Sequence, residues 1–183
     1  MRIQAPGLAV LGLLALCYPV LVYAGLQHLP PWLVGAGLLG LTGLRLAMSP
    51  RHSPFVVAGW LAAVALLGLL LISPLDGIRL YPVLVSLTLG AVFTASLIHP
   101  PSAIERIARL SEPTLSPAGV VYTRNVTIVW IAFFLLNASI STWTAVYASL
   151  ATWTLYNGLI SYIAISILFG AELLVRRRMM RGR

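Results

Sequence analysis

The chain has 183 residues, of which 60% are hydrophobic and 9% are charged, and its mean hydropathy is +0.96. A soluble domain of this length has too little interior to hide so much apolar surface, so the composition excludes an ordinary water-soluble fold. All 12 strongly basic residues are arginines, and the formal net charge is +8. Because these arginines flank apolar runs, the expected partners are anionic lipid headgroups, and nucleic acid is not expected.

Six apolar runs are long enough to cross a bilayer as helices, since about twenty residues rising ~1.5 Å each cover ~30 Å of hydrocarbon. The runs lack the alternation of barrel strands, so the sequence predicts an all-α polytopic membrane protein with a single domain. Proline, serine and glycine mark the gaps between the runs. The predicted spans are 7–26, 32–48, 55–73, 81–99, 126–147 and 152–175.

The arginines alternate between the two sets of gaps. Alternate gaps place eleven arginines on one side of the membrane and only Arg79 on the other. Since cytoplasmic loops carry the excess of basic residues, the positive-inside rule predicts that both termini lie in the cytoplasm. The basic tail 176–183 strengthens this orientation, because it follows the last span and attracts anionic lipid.

The pentapeptide Tyr-Pro-Val-Leu-Val occurs twice, at Tyr18–Val22 and at Tyr81–Val85. The second copy falls on a helix predicted to run opposite to the first, which is the arrangement of inverted-repeat transporters. However, Tyr18 is expected near mid-membrane and Tyr81 at the outer surface. We therefore interpret the repeat as chance agreement in a biased composition.

A longer polar segment, residues 100–125, separates the fourth and fifth spans. Ser102 followed by Glu105 is a capping box, which predicts a short helix that Pro113 ends, and Glu105 and Arg109 form an i,i+4 pair on this helix. Ser116 and Pro117 predict the cap and first turn that lead into the fifth span. One arc of the short helix is apolar, so this helix is expected to lie on the cytoplasmic leaflet. It is either an inert interfacial helix or a docking surface for a partner or an acidic headgroup. The candidate surface residues are Arg106, Arg109, Arg124, Arg176, Arg177 and Arg178.

The fifth and sixth spans are joined by only Ala148–Ala151, which predicts a tight antiparallel hairpin. Counting from this turn places Asn137 level with Ser161 and Tyr162, and Thr142 level with Asn157. Polar side chains at this spacing either clasp helices by hydrogen bonds of ~1 kcal/mol each, which is the commoner case, or line a polar path. The candidates are Asn137, Ser141, Thr142, Asn157, Ser161, Tyr162 and Glu172. Four aromatic residues flanking the turn are expected to form an interfacial belt: Trp143, Tyr147, Trp153 and Tyr156.

Glu172 is the only acidic residue inside a predicted span. An intramembrane acid serves proton coupling or cation binding by default, but Arg176 follows one turn later, and an interfacial ion pair is the simpler interpretation. The three histidines have no metal-ligand spacing, and no nucleophile elbow, phosphate loop or dinucleotide fingerprint occurs. The sequence therefore predicts no catalytic residue, no metal and no cofactor.

The second half of the chain carries a family resemblance. Its basis is Pro101 with Ile104–Arg106, then Leu110–Leu115 with Pro113, then Trp130 and Phe133–Leu135, followed by an apolar helix with a basic tail. These features resemble the intracellular septation protein A family of bacterial inner-membrane proteins. They are more similar still to a related group of small membrane proteins whose genes lie beside fatty-acid-type ketosynthases in aryl-polyene pigment clusters.

The resemblance implies a bacterial inner-membrane protein that supports envelope biogenesis or division through contacts with envelope or division proteins, without catalysis. It supplies no catalytic residue. The alternative is a small carrier or flippase-like transporter for a lipid or acyl product of the aryl-polyene type. A membrane enzyme acting on a lipid-linked substrate is the weakest hypothesis. A carrier predicts a continuous polar cavity that reaches mid-membrane, whereas a scaffold predicts a packed interior.

Overall fold

The computed structural model describes residues 18–47 and 54–181. All regular structure within these ranges is helical, which confirms the predicted all-α class. In chain order the helices are α1 (18–28), α2 (Pro31–Ala47), α3 (Pro54–Ile72), α4 (Pro74–Ile98), α5 (Ala103–Ser111), α6 (Pro117–Tyr147), α7 (Leu150–Leu155) and α8 (Ser161–Arg181). A π turn, Tyr156–Ile160, joins α7 to α8.

Three of the described helical segments are long and apolar enough to cross a membrane: α4, α6 and the continuous stretch Leu150–Val175. The apolar parts of α2 and α3 are shorter, Pro31–Leu44 and Ala58–Ile72. Most of the first predicted span, residues 7–17, lies outside the described residues. The fold is thus helical and suited to a membrane.

Serine side chains begin four of the helices, because a serine oxygen accepts a hydrogen bond from a backbone N–H of the first turn. The predicted start of α5 is confirmed, since Ser102 Oγ accepts from the backbone N of Glu105. The predicted cap and first turn at Ser116 and Pro117 are confirmed as well. The four serine caps are Ser73, Ser102, Ser116 and Ser149.

The turn between α3 and α4 is tighter than the sequence indicates. Ser73 is the only residue between the two helices, and Asp76 and Gly77 already lie in the first turn of α4. A Cβ atom on Gly77 would lie 3.0 Å from the backbone N of Leu70. Glycine is therefore required for the close approach of the two helices at this corner.

Helix α6 extends well beyond the predicted span. It has 31 residues and begins at Pro117, nine residues before the first residue of the predicted span. At ~1.5 Å per residue it is much longer than the ~30 Å that a helix needs to cross a hydrocarbon layer. The short helix α5 packs beside α6, where the backbone N of Ile104 donates to Thr127 Oγ1 at 3.4 Å.

Two apolar clusters occupy opposite ends of the bundle. At the α7 end, where α3 meets α4 and α6 meets α7, the buried residues are Tyr18, Val22, Leu38, Leu66, Ile78, Ala145 and Trp153. At the α5 end, where α4 turns into α5, they are Phe93, Ala103, Trp130 and Phe134. Along both α4 and α6 the residues between these clusters include buried polar side chains.

Two expectations about the α7 end are wrong. The rings of Tyr18 and Tyr81 are 5.0 Å apart in an edge-to-face contact, so the two copies of the pentapeptide begin at one level of the bundle. They meet because α1 and α4 pack in one cluster. Trp153 is fully buried and does not belong to an interfacial belt, whereas Trp143 and Tyr147 are exposed as expected.

Candidate functional site: the polar layer

A chain of hydrogen bonds links three helical elements at the middle of the bundle. Asn137 Nδ2 on α6 donates to Ser86 Oγ on α4 at 2.9 Å. The Tyr156 hydroxyl, from the π turn, donates to Asn137 Oδ1 at 2.9 Å. Because Asn137 and Ser86 are both buried, these bonds form where water does not compete with them.

A second group of hydrogen bonds lies one turn away and involves Asn157. Ser141 Oγ donates to Asn157 Oδ1 at 2.8 Å, and Ser141 has no exposed surface. Asn157 Nδ2 donates to the carbonyl of Trp153 at 2.9 Å and reaches Thr144 Oγ1 at 3.4 Å. One amide therefore fastens the π turn to two residues of α6 that lie about one turn apart.

The π turn brings these groups to the interface. The backbone N of Ser161 donates to the carbonyl of Tyr156, five residues earlier, and Ser161 Oγ donates to the carbonyl of Asn157 at 3.1 Å. Such turns insert one residue into a helix and rotate the side chains that follow. Helix α1 packs closely against the π turn: a Cβ atom on Gly158 would lie only 3.3 Å from Pro19 Cβ.

Together the side chains of these two groups form what we call the polar layer: Ser86, Asn137, Ser141, Tyr156 and Asn157. The polar layer has the chemistry of a helix clasp. Both oxygens and both nitrogens of the Asn137 and Asn157 amides have protein partners. Hydrogen bonds between membrane helices contribute ~0.6 kcal/mol on average and up to ~1.7 kcal/mol. The layer therefore stabilises the assembly of α4, α6 and the π turn.

Other candidate residues lie elsewhere. Thr142 is exposed and donates to the carbonyl of Ala138 in its own helix. Tyr162, which follows Ser161 in the chain, is half-buried. Glu172 is half-buried near the α5 end, where its backbone carbonyl accepts from the Tyr122 hydroxyl at 3.3 Å. The side chain of Arg176, the expected partner of Glu172, lies outside the described residues.

Sequence reasoning missed two members of the layer. Ser86 is an isolated polar residue in an apolar run, and this isolation is the signal that could have found it. Tyr156 was assigned to the interfacial belt, but its hydroxyl binds Asn137 instead. Aromatic residues with a polar tip suit both settings, so composition alone does not separate them.

The arginines of the α5 end hold the connection between α4 and α6. Arg106 donates to the carbonyls of Pro101 and His99, and Arg124 donates to that of Leu97 at 3.3 Å. Cations near the last carbonyls of a helix also interact favourably with the helix dipole, so these arginines stabilise the end of α4.

Glu105 and Arg109 form an ion pair with oxygen–nitrogen distances of 2.7 and 2.9 Å. The Glu105 side chain is buried, and Arg109 also donates to the carbonyl of Pro113 at 3.0 Å. Thus the predicted i,i+4 pair is present, and it fixes the loop after α5. The side chains of Arg176, Arg177 and Arg178 lie outside the described residues.

Arg79 plays a matching role at the α7 end. Its guanidinium donates to the carbonyl of Thr144 in the last turn of α6 and to that of Ala148, the residue that follows α6, at 3.2 and 2.5 Å. Its own carbonyl accepts from the indole N–H of Trp153 at 2.9 Å. Arg79 therefore ties α4 to both helices of the α6–α7 turn.

Within residues 18–47 and 54–181, no group of three or more His, Cys, Asp or Glu residues is placed to hold a metal ion. Comparison with known proteins adds no further assignment. No protein-family model matches the chain, and no curated protein or solved structure matches it significantly.

Proposed function

We propose that this chain is a bacterial inner-membrane scaffold with six spans and both termini in the cytoplasm. It supports envelope biogenesis or division through protein contacts, without catalysis of its own. The distribution of arginines supports the orientation, and the α5 end then lies in the cytoplasm. The resemblance of residues 101–178 to the septation protein A family supports the cellular role.

The state of the polar layer is the observation that favours a scaffold over a carrier. A path for a polar or amphipathic substrate needs polar groups that are free to exchange partners with the substrate. Here Asn137 and Asn157 are buried and are each bound by at least two protein groups. Opening such a layer in lipid would leave several polar groups without partners.

Partners would bind the α5 end through exposed apolar side chains. Leu110 is 85% exposed and Ile107 is 53% exposed, although α5 itself is fastened to α6. Anionic headgroups would neutralise the arginines around α5 and in the tail 176–183.

The topology is tested with reporter fusions at the carboxyl end. A reporter that is active only in the cytoplasm should work there, and one that is active only in the periplasm should fail. The reverse result would contradict the orientation and would move the α5 end to the outside.

The role is tested by rescue of cells that lack the gene. Replacing the whole hydrogen-bond chain with apolar groups, as Ser86→Ala with Asn137→Leu and Tyr156→Phe, should preserve rescue of the envelope or division defect. Removing both sides of a buried polar contact costs little stability when shape is kept. Loss of rescue at normal protein levels would support a carrier instead.

A second pair of variants tests docking at the α5 end. Leu110→Ser should abolish rescue, whereas Leu71→Ser should preserve it. Leu71 is a matched control, since it is 78% exposed at the other end of the bundle. Rescue by both variants would contradict docking through α5.

A further inference from the structure

A cavity of about 400 Å³ lies at the α7 end, between the end of α3, the start of α4 and the end of α6. This volume is within the range of roughly 300–1,000 Å³ that is usual for small-molecule sites. The cavity is open on one side, and its apolar lining includes Leu69, Ile72, Leu80 and Val146. Ile72 and Val146 are 85% and 59% exposed, so the opening faces the surroundings of the bundle and not its interior.

Two opposite charges line the same cavity. Asp76 is exposed in the first turn of α4, and Arg79 is one turn further along this helix. Their charged groups do not form an ion pair with each other; the ion pair found among the described residues is that of Glu105 and Arg109. Arg79 Nε is buried and donates to none of the described residues.

We propose that this cavity binds a phospholipid whose headgroup carries both a phosphate and an ammonium group. The phosphate would interact with the Arg79 guanidinium and the ammonium with the Asp76 carboxylate. One acyl chain would cover the apolar wall between Ile72 and Val146. A lone phosphate would leave Asp76 unpaired beside it, so the pair of charges favours a zwitterion.

The position of the cavity agrees with this occupant. It lies at the ends of two helices that are suited to crossing a membrane, α4 and α6, where headgroups meet the protein. The apolar side chains that line the open side of the cavity match the acyl chains of a phospholipid. The charges at the helix ends match its headgroup. This holds for either orientation of the chain, so the inference does not depend on the proposed function.

The direct test is native mass spectrometry of the full chain after delipidation. It is incubated with phosphatidylethanolamine or with phosphatidylglycerol that carries the same acyl chains. We expect about fivefold stronger retention of phosphatidylethanolamine, the effect of one ion pair of ~1 kcal/mol near a surface. Equal retention of the two lipids, or stronger retention of phosphatidylglycerol, would overturn the recognition of the headgroup.

Two variants, each with a control, test separately how the protein recognises the lipid headgroup and how it holds the acyl chain. Asp76→Asn should reduce the ratio of the two lipids to about one, while the matched change Glu112→Gln at the α5 end should leave it unchanged. Val146→Trp should fill the cavity and remove the bound lipid. Its control, Leu136→Trp, changes a residue of α6 that is 61% exposed and is not part of the cavity. The proposal is overturned if Asp76→Asn keeps the preference or if Val146→Trp retains lipid as Leu136→Trp does.

Discussion

Helix α6 and the segment that follows it, Leu150–Val175, are similarly apolar but are used differently. Yet a third of the most apolar part of α6 is buried inside the bundle, compared with only 6% of the most apolar part of the second segment. The buried residues of the second segment are Trp153, Asn157 and Ser161, spaced four apart along one face. In lipid, apolar side chains have little preference for a protein neighbour, so polar and small residues decide which face is buried.

This contrast shows that the segment Leu150–Val175 is attached to the rest of the bundle mainly through its first part, α7 and the π turn. The backbone of the segment comes closest to α6 at α7 and the π turn. Further along α8, contact with the core is made by Ile165 and Leu168, which pack beside the cluster at the α5 end. Variants along the segment should therefore have very unequal effects on stability.

The largest effect is expected for Trp153→Ala. Trp153 is fully buried and its indole N–H donates to the carbonyl of Arg79, so its removal leaves a cavity and breaks this hydrogen bond. We expect the free energy of unfolding to fall by ~3–5 kcal/mol, measured by denaturation in detergent micelles. Trp143→Ala is the control, and it should change stability by less than ~0.5 kcal/mol because Trp143 is exposed. Similar losses for the two variants would contradict the attachment at Trp153.

An intermediate effect is expected from a double-mutant cycle of Ser141→Ala and Asn157→Ala. The hydrogen bond between them is 2.8 Å long and buried, so the coupling energy should be ~0.6–1.7 kcal/mol. The control cycle uses Ser139→Ala with Asn157→Ala. Ser139 is exposed and donates to the carbonyl of Leu135 in its own helix, so this coupling should be close to zero. A negligible coupling for the first cycle would show that the clasp contributes nothing.

The smallest effect is expected for Ile167→Ala on the open face of α8. Ile167 is 67% exposed, and the change should alter the free energy of unfolding by less than ~0.5 kcal/mol. The same substitution at Ile78, which is fully buried, should cost ~2–5 kcal/mol. A large loss for Ile167→Ala in micelles would mean that a second copy of the chain covers this face.

The helix starts were predictable from local chemistry, whereas the register between helices was predictable only approximately. Ser102 and Ser116 were recognised as caps because capping depends on neighbouring residues alone. The hairpin register was predicted to within about one residue: Thr142 was placed level with Asn157, but it is Ser141, one residue earlier, that binds Asn157. The π turn and the reach of the Tyr156 side chain to Asn137 are not visible in the sequence pattern.

The polar layer could be predicted only in part, because the sequence shows which residues are polar but not which face of a helix is buried. Asn137, Ser141 and Asn157 were identified because asparagine and serine are conspicuous in an apolar helix. Thr142, next to Ser141, lies on the exposed face, since one residue rotates the helix by about 100°. From the sequence, Arg79 was used only to predict the membrane orientation. Its hydrogen bonds to the end of α6 could not be predicted, because they join residues that are 65 and 69 positions apart.

The most direct test of the account is the access of water to the centre of the bundle. A cysteine at position 141 (Ser141→Cys with Cys17→Ser) is exposed to a membrane-impermeant maleimide, with Tyr147→Cys in the same background as the accessible control. If polar groups at this depth fasten helices together, the thiol at 141 stays unmodified from both sides of the membrane while the control reacts. Labelling of 141 at a rate comparable to the control would mean that these groups line an aqueous passage.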